Sequence, residues 1–258
     1  MYKNRTFLAI SIFVLAISQF VTAQKLNFGK ITFSSEDGLE ITADKYISND
    51  LNAPFIILFH QAGWSRGEYL EIAPKLNKLG YNCLAVDQRS GNKVNEIQNE
   101  TFKRAKEAGK ETNFLDAYQD MKATVDYVKE NFAKGQLIVW GSSYSASLVL
   151  KLASEKSDKI NGVLSFAPGE YFKRFGESET FIQDSAKNIK CPVFITSAKD
   201  EKQNWIQIFD SIPTKSKQYF VPETKGNHGS RALWDKFEDS ENYWSVVKAF
   251  LSKHFQDC

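Results

Sequence analysis

The chain has little of what several protein classes require. It holds three cysteines, Cys83, Cys191 and Cys258, in 258 residues. An odd, sparse set excludes a disulfide scaffold, leaves room for one bridge at most and does not choose its pair. Cys83 and Cys191 stand at or beside apolar strands, where a free thiol acts as a small hydrophobe. Three histidines, His60, His228 and His254, lie far apart, a pattern that argues against a metal site. There is no internal repeat and no low-complexity linker, so one domain is expected. An uninterrupted apolar run long enough for a membrane span is missing as well: Phe7 to Ile17 falls short of the roughly 20 residues a helix needs. That run follows Lys3 and Arg5 and precedes Val21-Thr22-Ala23, so residues 1–23 read as a secretory signal peptide cut after Ala23. The mature domain, residues 24–258, is then exported, either periplasmic or secreted, with no membrane attachment. No Cys follows the run, which argues against a lipid anchor. Removing Lys3 and Arg5 from the 33 basic residues leaves 31 of each sign. A balanced chain has no general attraction to nucleic acid or acidic lipid. Oligomeric state is left open.

What remains is the composition of a globular protein, 42% hydrophobic and 25% charged, large enough for a sizeable core. "KITFSSEDGLEITADKYI" reads as a hairpin turning at Ser35 to Gly38. "PFIILFH" is a strand apolar on both faces, and "RGEYLEIAPKLNKLG" has helical spacing ending at a glycine. Strand and helix then alternate: "YNCLAVD", "FLDAYQDMKATVDYVKENF", "QLIVWG", "SASLVLKLASE", "INGVLSFAP", "PVFITSA" and "KQYFVPE". A long closing helix is expected over "RALWDKFEDSENYWSVVKAFLSKHF". The order predicts an α/β protein with a mostly parallel central sheet, helices on both faces and an antiparallel N-terminal hairpin at one edge. Residues 89–112 and 169–188 break the alternation as long loops after strand ends, where open parallel sheets bind ligands.

"IVWGSSYSAS" crowds four serines into a strand-to-helix junction. A nucleophile on such an elbow needs small residues two before and two after it, because strand and helix pass close together. Ser143, between Gly141 and Ser145, satisfies this; Ser142, between Trp140 and Tyr144, does not. A serine hydroxyl needs a base, and the base needs an orienting acid. Asp200, just past "PVFITSA", and His228, in "GNHGS", follow in the order acid then base. Oxyanion-hole amides are expected from Tyr144, next after the nucleophile, and from Ala62 in "FHQAGWSRGE". Glu170 is the second choice of acid. His60 reads as a structural residue of the early loop. Asp87 and Arg89 read as a local salt bridge, with a substrate carboxylate as the other use of Arg89. Trp64, Arg89, Tyr171, Phe172 and Phe175 are the candidates for lining a substrate pocket.

Taken together, "LFHQAGWSRGEY", "AVDQRSG", "VWGSSYSAS", "SAKDE" and "GNHGS" resemble the α/β-hydrolase superfamily, and within it dienelactone-hydrolase-related proteins and exported serine esterases. The resemblance implies the α/β-hydrolase fold and hydrolysis of a small-molecule ester or lactone without a cofactor. By position it implies Ser143 as nucleophile, Asp200 as acid, His228 as base, and Ala62 and Tyr144 as oxyanion donors. Serine replaces the cysteine nucleophile of dienelactone hydrolases, which shifts the expectation to a carboxylesterase. Ser145 replaces glycine, a change that slightly looser packing would tolerate, and His60-Gln61 replaces His-Gly. A peptidase or acyltransferase using the same triad is the alternative, and a non-catalytic binding protein on this scaffold is the third reading.

Overall fold

A computed structural model describes residues 27–256; residues 1–23, where a signal peptide is expected, and Cys258 lie outside them. In chain order the strands and helices are β1 (Asn27–Ser34), β2 (Glu40–Ile47), β3 (Phe55–Phe59), α1 (Ile72–Lys78), β4 (Asn82–Val86), β5 (Lys93–Val94), β6 (Ile97–Gln98), α2 (Glu100–Glu107) and α3 (Ala117–Asn131). They continue with β7 (Leu137–Ser142), α4 (Tyr144–Glu155), β8 (Gly162–Phe166), α5 (Phe181–Ala186), β9 (Val193–Thr196), α6 (Ile206–Ser211), β10 (Lys217–Phe220) and α7 (Ser240–Phe255). One eight-stranded sheet runs in the order β1-β2-β4-β3-β7-β8-β9-β10. The β1–β2 hairpin is antiparallel and joins β4 antiparallel, while β4, β3, β7, β8, β9 and β10 pair in parallel in that order. This is the expected layout, with the hairpin at one edge.

The central strands read as continuous apolar runs because both faces are covered. Every residue of β3, β4, β7 and β8 is buried. Val125, Val128, Leu148, Leu152, Ile182 and Ile208 of α3 to α6 pack on one face. Leu76 of α1 and Trp244, Val247 and Leu251 of α7 pack on the other. Each such side chain, fully buried, contributes about 2 kcal/mol. Parallel pairing brings the C-terminal ends of β3, β7, β9 and β10 to one rim.

Three expectations change. The closing helix starts only at Ser240, because Ser230–Leu233 is a 3-10 turn and Trp234 leaves it extended, with φ −74° and ψ 139°. The Trp234 indole donates to the Glu68 carbonyl at 2.9 Å, and that anchor is incompatible with continuing the helix. Residues 89–112 are not an open loop over the strand ends. They form the small β5–β6 hairpin and α2, capped by Asn99 Oδ1 accepting from Phe102 N. The segment is tied to β2 through Thr101 Oγ1, which accepts from Thr42 N, and through Arg104, which donates to Thr42 Oγ1. Residues 169–188 likewise contain a 3-10 turn, Lys173–Phe175, and α5.

Candidate active site

Each of the four serines at the β7–α4 junction has a separate partner. Ser143 sits at φ 59° and ψ −120°, a conformation costing a non-glycine residue about 1–3 kcal/mol. The turn is so tight that a Cβ on Gly141 would stand 2.3 Å from the Ser145 carbonyl oxygen. Ser145, where glycine is usual, does not loosen the packing. Its hydroxyl donates to the His60 carbonyl and accepts from Gln88 Nε2, both at 2.6 Å, binding the elbow to the loop after β3. Ser147 exchanges hydrogen bonds with Gly169, fixing the loop after β8 to α4. Ser142 donates to Glu68 Oε1 at 2.7 Å and accepts from Ser230 N at 2.9 Å.

Ser143 Oγ lies 2.8 Å from His228 Nε2, and His228 Nδ1 lies 2.6 Å from Glu201 Oε1. These partners fix the neutral tautomer: Nδ1–H donates to the carboxylate and Nε2 accepts from the serine hydroxyl. His228 and Glu201 are 30% and 25% exposed, so the pair is open to substrate yet partly screened from water. The structure therefore brings Ser143 and His228 together and replaces Asp200 by its neighbour. Both acids lie on the 3-10 turn Lys199–Asn204 after β9, where successive side chains diverge by about 120°. Glu201 faces the rim, with Oε2 accepting from Ala198 N at 3.1 Å, whereas Asp200 faces solvent. Glu170 is committed elsewhere: its carboxylate accepts from Ile182 N and Gln183 N in the first turn of α5.

The loop after β3 is held rigidly. His60 is buried, its Nδ1 donating to the Gln61 carbonyl at 2.8 Å and its Nε2 accepting from Gln88 N at 3.1 Å. Burial pushes its pKa down to about 4, so it stays neutral and structural, as expected. Gln61 N donates to Glu68 Oε2 at 2.8 Å and Trp64 N to the Gln61 carbonyl at 3.3 Å. Ala62 lies between these committed amides, and Tyr144 N is in the first turn of α4, where amides lack helical partners.

The pocket candidates divide. Tyr171 reaches the site: its hydroxyl donates to the Ala167 carbonyl at 2.8 Å and lies beside the Ser143 hydroxyl, and burial raises its pKa above the usual phenol range. Trp64 stacks on Trp234 at 5.3 Å with the Arg231 guanidinium over its face. Phe175 packs edge-on against Phe114, which stacks on Tyr144. Two candidates fail. Phe172 is fully buried in the core against Phe181. Arg89 is 2% exposed and holds Asp120 and Asp37 through paired hydrogen bonds, so it cannot reach a substrate carboxylate. Nor does Arg89 pair with Asp87, which is bound by Arg66 at 2.6 Å. Cys83 and Cys191 are both free thiols.

A doubly wound parallel sheet with a serine on a positive-φ elbow and a histidine within hydrogen-bond reach at the strand C-termini is the arrangement of the α/β-hydrolase fold, and this chain has that fold. Residues 52–176 match the family model described as serine aminopeptidase, S33. Among solved structures, the chain is similar to the esterase Pf2001 of Pyrococcus furiosus, with 20% identity, TM-score 0.68, and coverage of 89% of this chain and 93% of that one. It is similar to a dienelactone hydrolase from Anabaena variabilis, with 12% identity, TM-score 0.70, and coverage of 90% and 99%. It is also similar to Est1E from Butyrivibrio proteoclasticus, solved with ferulic acid bound, with 16% identity, TM-score 0.68, and coverage of 88% and 100%. No curated protein matches the sequence.

Proposed function

We propose that the protein is an exported serine carboxylesterase cleaving a small ester or lactone through an acyl-enzyme. The reading is carried by the 2.8 Å contact between Ser143 Oγ, on its positive-φ elbow, and His228 Nε2. His228 accepts the Ser143 proton as the hydroxyl oxygen attacks the acyl carbon. Glu201 holds the Nδ1–H and stabilises the imidazolium that forms. The Ala62 and Tyr144 amides receive the negative charge on the former carbonyl oxygen. Return of the proton from His228 to the alkoxide leaving group frees the alcohol and leaves Ser143 acylated. His228 then takes a proton from water as its oxygen attacks the ester carbon; the bond from that carbon to Ser143 Oγ breaks, His228 returns the proton to Oγ, and the acid leaves. Tyr171 and Trp64 supply the aromatic walls of the acyl site.

A fluorophosphonate probe should label the folded protein on the peptide containing Ser143, and Ser143→Ala should abolish both labelling and aryl-ester turnover. Labelling elsewhere, or a fully active Ser143→Ala protein, overturns the reading. A peptidase with the same residues is favoured by the serine-aminopeptidase description of the matching family model; faster turnover of aminoacyl amides than of the matched esters would establish it. Export is tested by the N-terminus of protein recovered outside the cytoplasm, expected at Gln24.

A further inference from the structure

We propose, building on the serine-hydrolase reading, that Glu68 is a positioning residue whose single carboxylate holds the oxyanion loop, the nucleophile elbow and the histidine loop in register. Glu68 belongs to the 3-10 turn Arg66–Tyr69 between β3 and α1 and is fully buried. Its two oxygens serve different segments. Oε2 accepts from the amide of Gln61, the residue before Ala62, at 2.8 Å. Oε1 accepts from the hydroxyl of Ser142, the residue before Ser143, at 2.7 Å. That hydroxyl in turn accepts from the amide of Ser230, two residues after His228, at 2.9 Å. The histidine loop lies directly on this tie: a Cβ on Gly229 would stand 2.4 Å from Ser142 Oγ. The Trp234 indole clamps the Glu68 carbonyl from behind.

Nothing in a hydrophobic core requires a carboxylate, and burying one is costly unless its oxygens are hydrogen-bonded. Here every donor points at the carboxylate, the pattern an ionised group accepts best. Burial opposes ionisation and raises the Glu68 pKa to about 7, against the lowering effect of Ser142, Gln61, His228 and Arg231. The titratable and charged groups facing it are Tyr69 on its own turn, Tyr144 on α4, and His228 and Arg231 on the segment after β10. Arg66, on the same turn, is engaged by Asp87, Asp44 and Glu100 instead. Protonation of Glu68 places a hydrogen on one oxygen and weakens the other as an acceptor, so the ties to Gln61 and Ser142 loosen as pH falls through about 7.

The test is steady-state hydrolysis of p-nitrophenyl acetate by the full chain, with fluorophosphonate titration to count competent Ser143, for wild type, Glu68→Gln, Ser142→Ala and the double variant. Glu68→Gln should lower kcat about 10- to 100-fold with KM changed by less than about threefold, because misplacement of the reacting groups rather than loss of a substrate contact is at issue. The acid limb of log(kcat/KM) against pH should be shallower in Glu68→Gln than in wild type by a slope of about 1, as the Glu68 ionisation is removed. Ser142→Ala should lower kcat in the same direction, and the double variant should fall by less than the product of the two single effects, since the two groups act as one unit. If Glu68→Gln does not fold, Ser142→Ala carries the test alone. A kcat within about twofold of wild type in the folded variants, or an unchanged acid limb in Glu68→Gln, overturns the role of Glu68. Those results leave Ser143 labelling in wild type intact. Absence of that labelling would instead defeat the hydrolase reading on which the inference rests.

Discussion

Replacing Glu201 by Gln preserves the shape of the group against His228 and removes only its charge and its freedom to accept at both oxygens. At 2.6 Å the Nδ1–H···Oε1 contact is in the range of a charge-assisted bond. A neutral amide there either keeps a weaker bond or turns its NH2 to the ring and forces the wrong tautomer. In a buried Ser-His-Asp site that exchange lowers kcat about 10⁴-fold. Here the pair is 25–30% exposed, and water recovers part of the loss, so the expected fall for Glu201→Gln is about 10³-fold, or about 4 kcal/mol in the barrier. Asp200→Asn, one residue away on the solvent side, should leave kcat within about twofold, as surface changes normally do. The assay is aryl-ester turnover normalised by fluorophosphonate titration. Equal losses in the two variants, or more than a tenth of wild-type kcat in Glu201→Gln, would show that the 3-10 turn does not select the acid as described.

Ser143→Gly should abolish turnover yet stabilise the protein by about 1 kcal/mol in urea titrations, since glycine relieves the φ 59° strain at some entropic cost; a lower midpoint refutes stored strain at the elbow. Arg89→Met leaves Asp120 buried and unpaired and should cost about 3–5 kcal/mol of stability, with ester turnover per folded molecule unchanged; loss of turnover without loss of stability would return Arg89 to the substrate pocket. Glu68 has a folded pKa raised to about 7 from 4.5, so the folded state holds its proton more tightly than the unfolded chain. Its contribution to stability therefore declines as pH rises from 4.5 to 7, by about 3 kcal/mol, and is level beyond. The stability of Glu68→Gln relative to wild type should increase by that amount between pH 4.5 and 8; a pH-independent difference refutes the shift.

Much of this was readable from the chain because it rests on local rules. An apolar run of five or six residues between turn signals is a doubly covered strand wherever it falls, which located β3, β4, β7 and β8. Gly141 before Ser143 was legible because the elbow admits no side chain two residues ahead of the nucleophile. The order of Ser143 and His228 follows from their positions after β7 and after β10, the last strand. Ser145 could be seen as a departure from glycine, but its use could not, since its partners His60 and Gln88 come from two other strand ends.

Periodicity and steric limits act between near neighbours, so the alternating layers, the elbow and its serine are written in the amino-acid order. Tertiary structure decided which acid meets His228, because a 3-10 turn sends Asp200 and Glu201 in different directions and only packing sets its phase. It also decided that Arg89 closes on Asp120 and Asp37 and that Phe172 fills the core. It placed Glu68 beneath three loops. Each of these depends on residues distant in the chain that converge only when the sheet is wound, and pairing between distant charges carries no periodic signal along a sequence.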